Sequence, residues 1–388
     1  MTDDAEPENG GRDGAAPERT FVQKEIVVLL LLSLVTIAAF VFTRAAAAGN
    51  REMRRHDAAV WFERGEQAAA AGRKDDAVSA FQRAGGMAAD NQRYRLALAR
   101  ALAADSQEEA ARQVLLGVRE RAPEDPAVNL QLARIEAQRG DTTAAEKYYH
   151  NALYGSWRID DAAARRAARF ELVRYLLDHG SPKRAVSELL VLSGNLPEAS
   201  GVEVDVARLF LRAGDAPHAL DHFERTLERE PRNNAALAGA VRAAFLLADY
   251  PKALRYARQM PGDPEVAELG GIAEQVMSDD PLRPRLSAGE RRARAVAGFA
   301  SARSRLEACA AESGRGRDDA AVAALATEAG SAAATITPRG LKDDPDAIDG
   351  AVNLTVRMVR RAATVCGPAT PRDRAWLLIG SLHDKDAQ

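Results

Sequence analysis

An all-α fold is predicted by three features of the 388-residue sequence. Aromatic residues make up only 5% of it, while alanine is abundant, a balance that suits closely packed helices better than sheets. Alanines, glycines and prolines recur at a fixed interval of 34 residues through the middle of the chain. One uncharged apolar run precedes them and is long enough to cross a bilayer as a helix. With 46% hydrophobic residues, the chain can bury one extended or two compact cores without depending on disulfides. Its net charge of -3 offers nucleic acid no global attraction.

Residues 1–20, MTDDAEPENGGRDGAAPERT, have no hydrophobic period, and a disordered tail is expected over 1–24. The run IVVLLLLSLVTIAAFVFT, 26–43, carries no charge and lies between Lys24-Glu25 and Arg44, which predicts a transmembrane helix over 25–44. A cleaved signal peptide competes, because AAAAG at 45–49 offers small residues to a peptidase. The length of the run, the polar tail before it and Arg44 at its exit favour an uncleaved anchor in the inner (cell) membrane, crossing once. Orientation is nearly tied: Arg12, Arg19 and Lys24 precede the run, and Arg44, Arg51, Arg54 and Arg55 follow it. The ordinary signal-anchor route then favours a cytoplasmic tail and a periplasmic, extracytoplasmic body.

The 34-residue interval defines six units. Ala77, Ala111 and Ala145 form one series; Ala185, Ala219 and Ala253 form a second, joined by Gly180 with Gly214 and Pro197 with Pro231. The series differ in phase by six residues, absorbed in GSWRIDDAAARR, 155–166. The units are 58–91, 92–125, 126–159, 166–199, 200–233 and 234–267. Each reads as two helices joined at a Gly or short polar turn. In the second helix a small residue precedes a bulky one by four: Ala77 and Phe81, Ala111 and Leu115, Ala145 and Tyr149, Ala185 and Leu189, Ala219 and Phe223. That spacing puts both on one helix face, where the alanine admits a close neighbour and the bulky residue fills the adjoining groove.

WFERGEQAAAAGRKDDAVSAFQRA, with Trp61, Gly65, Gly72, Ala77, Phe81 and Ala84, and the terminal prolines Pro123, Pro197 and Pro231 resemble the tetratricopeptide repeat family over 58–267. The sixth unit departs most, with Ala248 at the turn-glycine position and Ala257 in place of the aromatic. The resemblance implies an α-solenoid of about six repeats that binds proteins, its first helices lining a concave groove. The ninth residue of units two to six is Arg100, Arg134, Arg174, Arg208 and Arg242; the first unit has Glu66. A ladder of guanidiniums suits a partner's acidic segment, with Leu96, Leu130, Phe170 and Val204 adding apolar contact beside four of them. The competing reading pairs these arginines with the chain's own acids, such as Glu136, Glu171 and Asp205.

His218 and His222, four apart, raise the possibility of a metal site. The intervening ALD lacks the glutamate of a zinc-protease motif and no third ligand is nearby in sequence, so both are expected to face solvent or the neighbouring unit, with no metal. No phosphate loop, nucleophile elbow or paired-carboxylate constellation occurs, so no catalyst and no cofactor is nominated.

Past about residue 280 the period is lost, and 280–388 reads as a separate helical domain or a cap. Ser287 with Glu290 opens a helix over 287–311, AESGRGRDD is a flexible break, a further helix ends at Gly367-Pro368, and the last starts near Pro371. Cys309 and Cys366, the two cysteines of the chain, are disulfide candidates if the body lies outside the cytoplasm. RRAR, 291–294, and VRMVRR, 356–361, read as solvated helix faces. The functional expectation is a membrane-anchored scaffold for envelope complex assembly or chaperone work. A cytoplasmic-face regulatory subunit of a membrane enzyme or protease is the alternative, and an enzyme with its site in 280–388 a weaker one.

Overall fold

A computed structural model describes residues 17–194, 196–197, 200–312, 316, 318–342 and 344–384. Every regular element among them is helical, as the alanine-rich composition predicts. The chain forms two compact units, Met1–Ala168 and Arg169–Gln388. Their boundary falls two residues beyond the segment in which the repeat phase slips.

In the first unit, α1 (Pro17–Ala70) is one 54-residue helix. It begins inside the segment expected to be disordered, whose residues 1–16 lie outside the described part. Its apolar stretch is exposed along its whole length, and its last turns, from Ala58 onward, carry buried residues and pack on α2 (Lys74–Met87). The pairs α3 (Gln92–Ala104) with α4 (Glu108–Arg119) and α5 (Pro126–Gln138) with α6 (Thr142–Tyr154) follow. A short 3₁₀ turn, Ile159–Asp161, then leads into α7 (Ala162–Asp178), within which the unit boundary lies.

The second unit continues with α8 (Pro182–Ser193), then α9 (Ser200–Arg212) with α10 (Ala216–Arg229), and α11 (Asn234–Leu246) with α12 (Tyr250–Ala257). Helix α13 (Pro264–Asp279) packs on α11 and α12. The last helices are α14 (Ala288–Glu312), α15 (Ala320–Ala332), α16 (Pro345–Val365) and α17 (Pro371–Leu382).

All six hairpin turns use one backbone device. Gly72, Ser106, Gly140, Gly180, Gly214 and Ala248 have φ between 58° and 82°. The next residue's N–H reaches back five residues at every turn, from Arg73 to the Ala68 carbonyl, Gln107 to Leu102, Asp141 to Glu136, Ser181 to Leu176, Asp215 to Phe210 and Asp249 to Ala244, at 2.8 to 3.0 Å. These are Schellman closures, in which a left-handed residue lets the chain satisfy the helix's last carbonyls. Glycine does this freely; Ser106 and Ala248 carry a Cβ into the left-handed region, at a cost of about 1–2 kcal/mol each.

The small–bulky pairs are the core of the second helices. Ala77, Ala111, Ala145, Ala185 and Ala219 are at most 2% exposed, and Phe81, Leu115, Tyr149, Leu189 and Phe223 at most 4%. Glycines on first helices let these rings in: a Cβ on Gly65 would stand 2.6 Å from the Phe81 ring, and one on Gly239 would overlap Phe223. In the last pair, α12 is only eight residues long and offers Ala257 where the others offer a bulky residue. Helix α13 closes that space by approach rather than volume. A Cβ on Gly270 would lie 2.8 Å from the Ala257 Cβ, and Val241, Ala257 and Val266 share a core with Tyr256, Met260 and Leu269 around it.

Beyond α13, charged side chains tie the C-terminal helices to it. Arg372 Nε donates to Asp279 at 2.9 Å, Arg374 pairs with Glu268, and His383 lies 3.1 Å from both Asp280 oxygens. Arg294, part of the basic RRAR stretch, donates to the Met277 and Asp280 carbonyls at the end of α13. Arg361 Nε donates to Asp319 at 3.0 Å and Arg357 pairs with Glu328, so both basic stretches hold neighbouring helices in place. The Ser287–Glu290 box is formed, with both the Ser287 N–H and hydroxyl donating to the Glu290 carboxylate. Gly298 on α14 accepts the Trp376 ring of α17 with no room for a Cβ. Cys309 near the end of α14 is bonded to Cys366 at the end of α16, with Cα atoms 5.5 Å apart. Four residues of the expected break at AESGRGRDD, 313–315 and 317, lie outside the described part.

Candidate functional site

The five arginines of the expected ladder occupy different surroundings. In the first unit, Arg100 on α3 and Arg134 on α5 converge on the buried Gln131 of α5. With the amide oriented so that its oxygen faces the guanidiniums, Gln131 accepts from Arg134 Nη1 at 2.6 Å and from Arg100 Nε at 3.3 Å. Partial burial, reinforced by the charge of Arg134, lowers the Arg100 pKa from its ordinary value. No carboxylate among the described residues pairs with Arg100. Gln131 thus accepts from two guanidiniums at once, and Arg100 sits half-buried beside the like charge of Arg134.

Beside them lies a cavity of about 390 Å³ between the last turns of α1 and α3, walled by Phe62, Phe81, Leu96 and Ala97. Arg93 and Glu66 stand at its edge, 3.3 Å apart, and Arg93 also lies over the Phe62 ring at 4.5 Å. Glu66, which occupies the ladder position in the first unit, is therefore engaged by Arg93. The floor is apolar, and the rim carries Arg100 and the Arg93–Glu66 pair.

In the second unit the positions are occupied otherwise. The Arg174 guanidinium lies over the Phe170 ring at 5.8 Å, and Arg208 is 3.6 Å from Asp205, one turn earlier on α9. Arg242 makes a two-pronged contact with Glu265 of α13, its Nε donating at 2.6 Å. This hydrogen bonding raises the Arg242 pKa and lowers that of Glu265. Of the acids considered as partners, Glu136 is buried between Arg112 and Arg139, 2.6 and 3.6 Å away, and so serves α4 and α5 packing.

The expectation that both histidines face solvent or the neighbouring unit needs correction for His222, which turns into its own hairpin. His222 is only 3% exposed. Its ring stacks on Phe210 at 5.4 Å, and its Nδ1 lies 2.7 Å from the buried Glu203 carboxylate of α9. Residues 219, 222, 223 and 226 follow the i, i+3, i+4, i+7 rule, so the face that buries Ala219 and Phe223 buries His222 as well. His218 is half-exposed and sits beside the helix cap, its Nδ1 2.8 Å from Asp215. Among the described residues no three His, Cys, Asp or Glu side chains are grouped to hold a metal.

Helix pairs closed by left-handed turns, 34 residues apart within each series, and a buried small–bulky pair in each of the first five second helices give the helix-hairpin fold of tetratricopeptide repeats. No family model and no curated protein matches the chain. Several solved structures are similar to the chain. They include the C-terminal part of a repeat-containing protein from Cytophaga hutchinsonii (14% identity, TM-score 0.42, covering 74% of this chain and 98% of that one). Pseudomonas aeruginosa pilF is another (15% identity, TM-score 0.40, covering 55% of this chain and 97% of that one). A third is a tetratricopeptide repeat protein from Parabacteroides merdae (12% identity, TM-score 0.38, covering 77% of this chain and 99% of that one).

Proposed function

We propose that the tetratricopeptide repeats form a protein-interaction scaffold, held at a membrane by residues 26–43, whose first-helix face binds an acidic and partly apolar segment of a partner. The observation that carries this reading is the Arg100–Gln131–Arg134 cluster beside the Phe62–Leu96 cavity. A carboxylate would pair with the Arg100 guanidinium through charge-assisted hydrogen bonds, while an adjoining Leu- or Phe-sized side chain fills the apolar cavity. Arg242, in the second unit, is held by Glu265.

The Cys309–Cys366 bond favours an oxidising compartment, and so an extracytoplasmic body in which the scaffold serves envelope complex assembly. The apolar stretch has a mean hydropathy of 2.9 and none of it is buried in the protein, as an anchor requires. Holding the body at the membrane raises its effective concentration near membrane partners.

The test is photocrosslinking from position 96, in the cavity, using the full chain in its native membrane. Captured segments rich in Asp and Glu next to an apolar residue, and lost in Arg100→Glu/Arg134→Glu, are expected. Capture that survives both charge reversals would remove the arginine cluster from the binding account.

A further inference from the structure

The apolar stretch of α1 does not end in a loop. It runs without a break through residues 44–57 and into the turns that pack on α2, so the first repeat and the anchor share one helix. Residues 44–57, RAAAAGNREMRRHD, are all exposed. At 3.6 residues per turn, Arg44, Arg51, Arg54 and Arg55 fall within an arc of about 100° on one side of that helix. Glu52 is the one acid from 44 to 56, and it lies 3.9 Å from Arg55. Among the described residues, none of these arginines is engaged with another helix.

We propose that this stripe binds anionic phospholipid headgroups and thereby sets the tilt and rotation of α1, and with it the orientation of the first repeat over the bilayer. The proposal rests on the anchor reading above. With Arg44 at the hydrocarbon edge, a rise of about 1.5 Å per residue puts Arg51 about 10 Å and Arg55 about 16 Å further out. The headgroup layer itself takes up about 5–7 Å of that. Arg51 therefore stands a few ångströms from the phosphates, and Arg54 and Arg55 within about one Debye length. Because the four cations share one side, attraction to the surface is directional: tilting toward the stripe lowers all of them together. Membrane helices tilt by about 20° on average, which the sparsely charged opposite side does not resist.

The experiment uses the full chain reconstituted in phosphatidylcholine nanodiscs doped with spin-labelled phosphatidylglycerol or spin-labelled phosphatidylcholine. The readout is the ratio of their association with the protein. A clear preference for the anionic lipid is expected, bounded by about fivefold for each arginine near the surface. It should shrink at high salt, fall to near one in Arg51→Gln/Arg54→Gln/Arg55→Gln, and persist in the triple Lys variant. A ratio near one for the native chain, or a preference that the Gln variant keeps, overturns the proposal. Acidic protein as the true partner of the stripe would give the first of these results. Alkaline carbonate extraction separates the two readings: release of the chain sinks the anchor and this inference together, whereas retention with a ratio near one sinks this inference alone.

Discussion

Glu203 on α9 holds the imidazole of His222 on α10 at 2.7 Å, with both side chains at most 6% exposed. The pair sits within the helix hairpin, stacked on Phe210. Removing Glu203 leaves the buried His222 ring without its hydrogen-bond partner, at a cost of about 3 kcal/mol. Glu203→Ala is therefore expected to raise amide hydrogen exchange across α9 and α10 by a hundredfold or more. The double variant Glu203→Leu/His222→Leu should restore most of the protection, because an apolar pair of similar size leaves no buried polar group without a hydrogen-bond partner. A double variant as exchange-labile as the single one would assign the pair a role beyond packing.

Ser106 and Ala248 adopt the left-handed turn that glycine fills in the other four hairpins. Ser106→Gly and Ala248→Gly are expected to stabilise the hairpins they close by about 1 kcal/mol each, and Gly214→Ala to destabilise its own by a similar amount. Local hydrogen exchange at each turn reads this directly. An increase in exchange for Ala248→Gly would show that the side chain contributes packing that outweighs its backbone strain.

The Cys309–Cys366 bond closes a loop of 57 residues between α14 and α16. Replacing both cysteines by serine is expected to cost the C-terminal helices about 2–4 kcal/mol. An impermeant thiol reagent applied to intact spheroplasts should label the cysteines only after reduction. Labelling that requires lysis would put the body in the cytoplasm and favour the regulatory-subunit reading.

Asp319 caps α15 and accepts from Arg361 of α16, and these hydrogen bonds lower its pKa below the usual carboxylate range. A depressed folded-state pKa contributes stability that is present above the unfolded carboxylate pKa and is lost as pH falls through the folded value. Arg361→Gln brings the folded pKa back toward the unfolded one. Its acid-induced loss of α15–α16 protection should therefore depend less steeply on pH than in the native chain, with the two differing most near neutral pH. Parallel pH profiles would assign the lowered pKa to the helix cap alone.

Much of the fold was readable in the sequence because the repeat fixes it twice. The small–bulky spacing names the buried face of each second helix, and the residue 34 positions from one turn names the next. The same rule places His222 inward at i+3 from Ala219, whatever its four-residue spacing from His218 suggests. Ala257 signalled a departure in the last pair, but not that Gly270 brings α13 into the gap. The arginine ladder was legible as a register and not as a set of environments. Gln131, Phe170, Asp205 and Glu265 give its members different partners, and those partners come from helix packing that a single register position does not encode. Arg93 escaped notice because it lies seven residues before Arg100 on the same helix, outside the ladder position.

The most direct test of the central claim is the affinity of the segment captured from position 96 for the full chain, measured by calorimetry at low and high salt. Loss of tenfold or more in Arg100→Glu and in Arg134→Glu, a shallower salt dependence in both, and little change in Arg242→Glu are predicted. Equal affinities across these three variants, with the salt dependence intact, would contradict the assignment of this face as the binding site for an acidic segment.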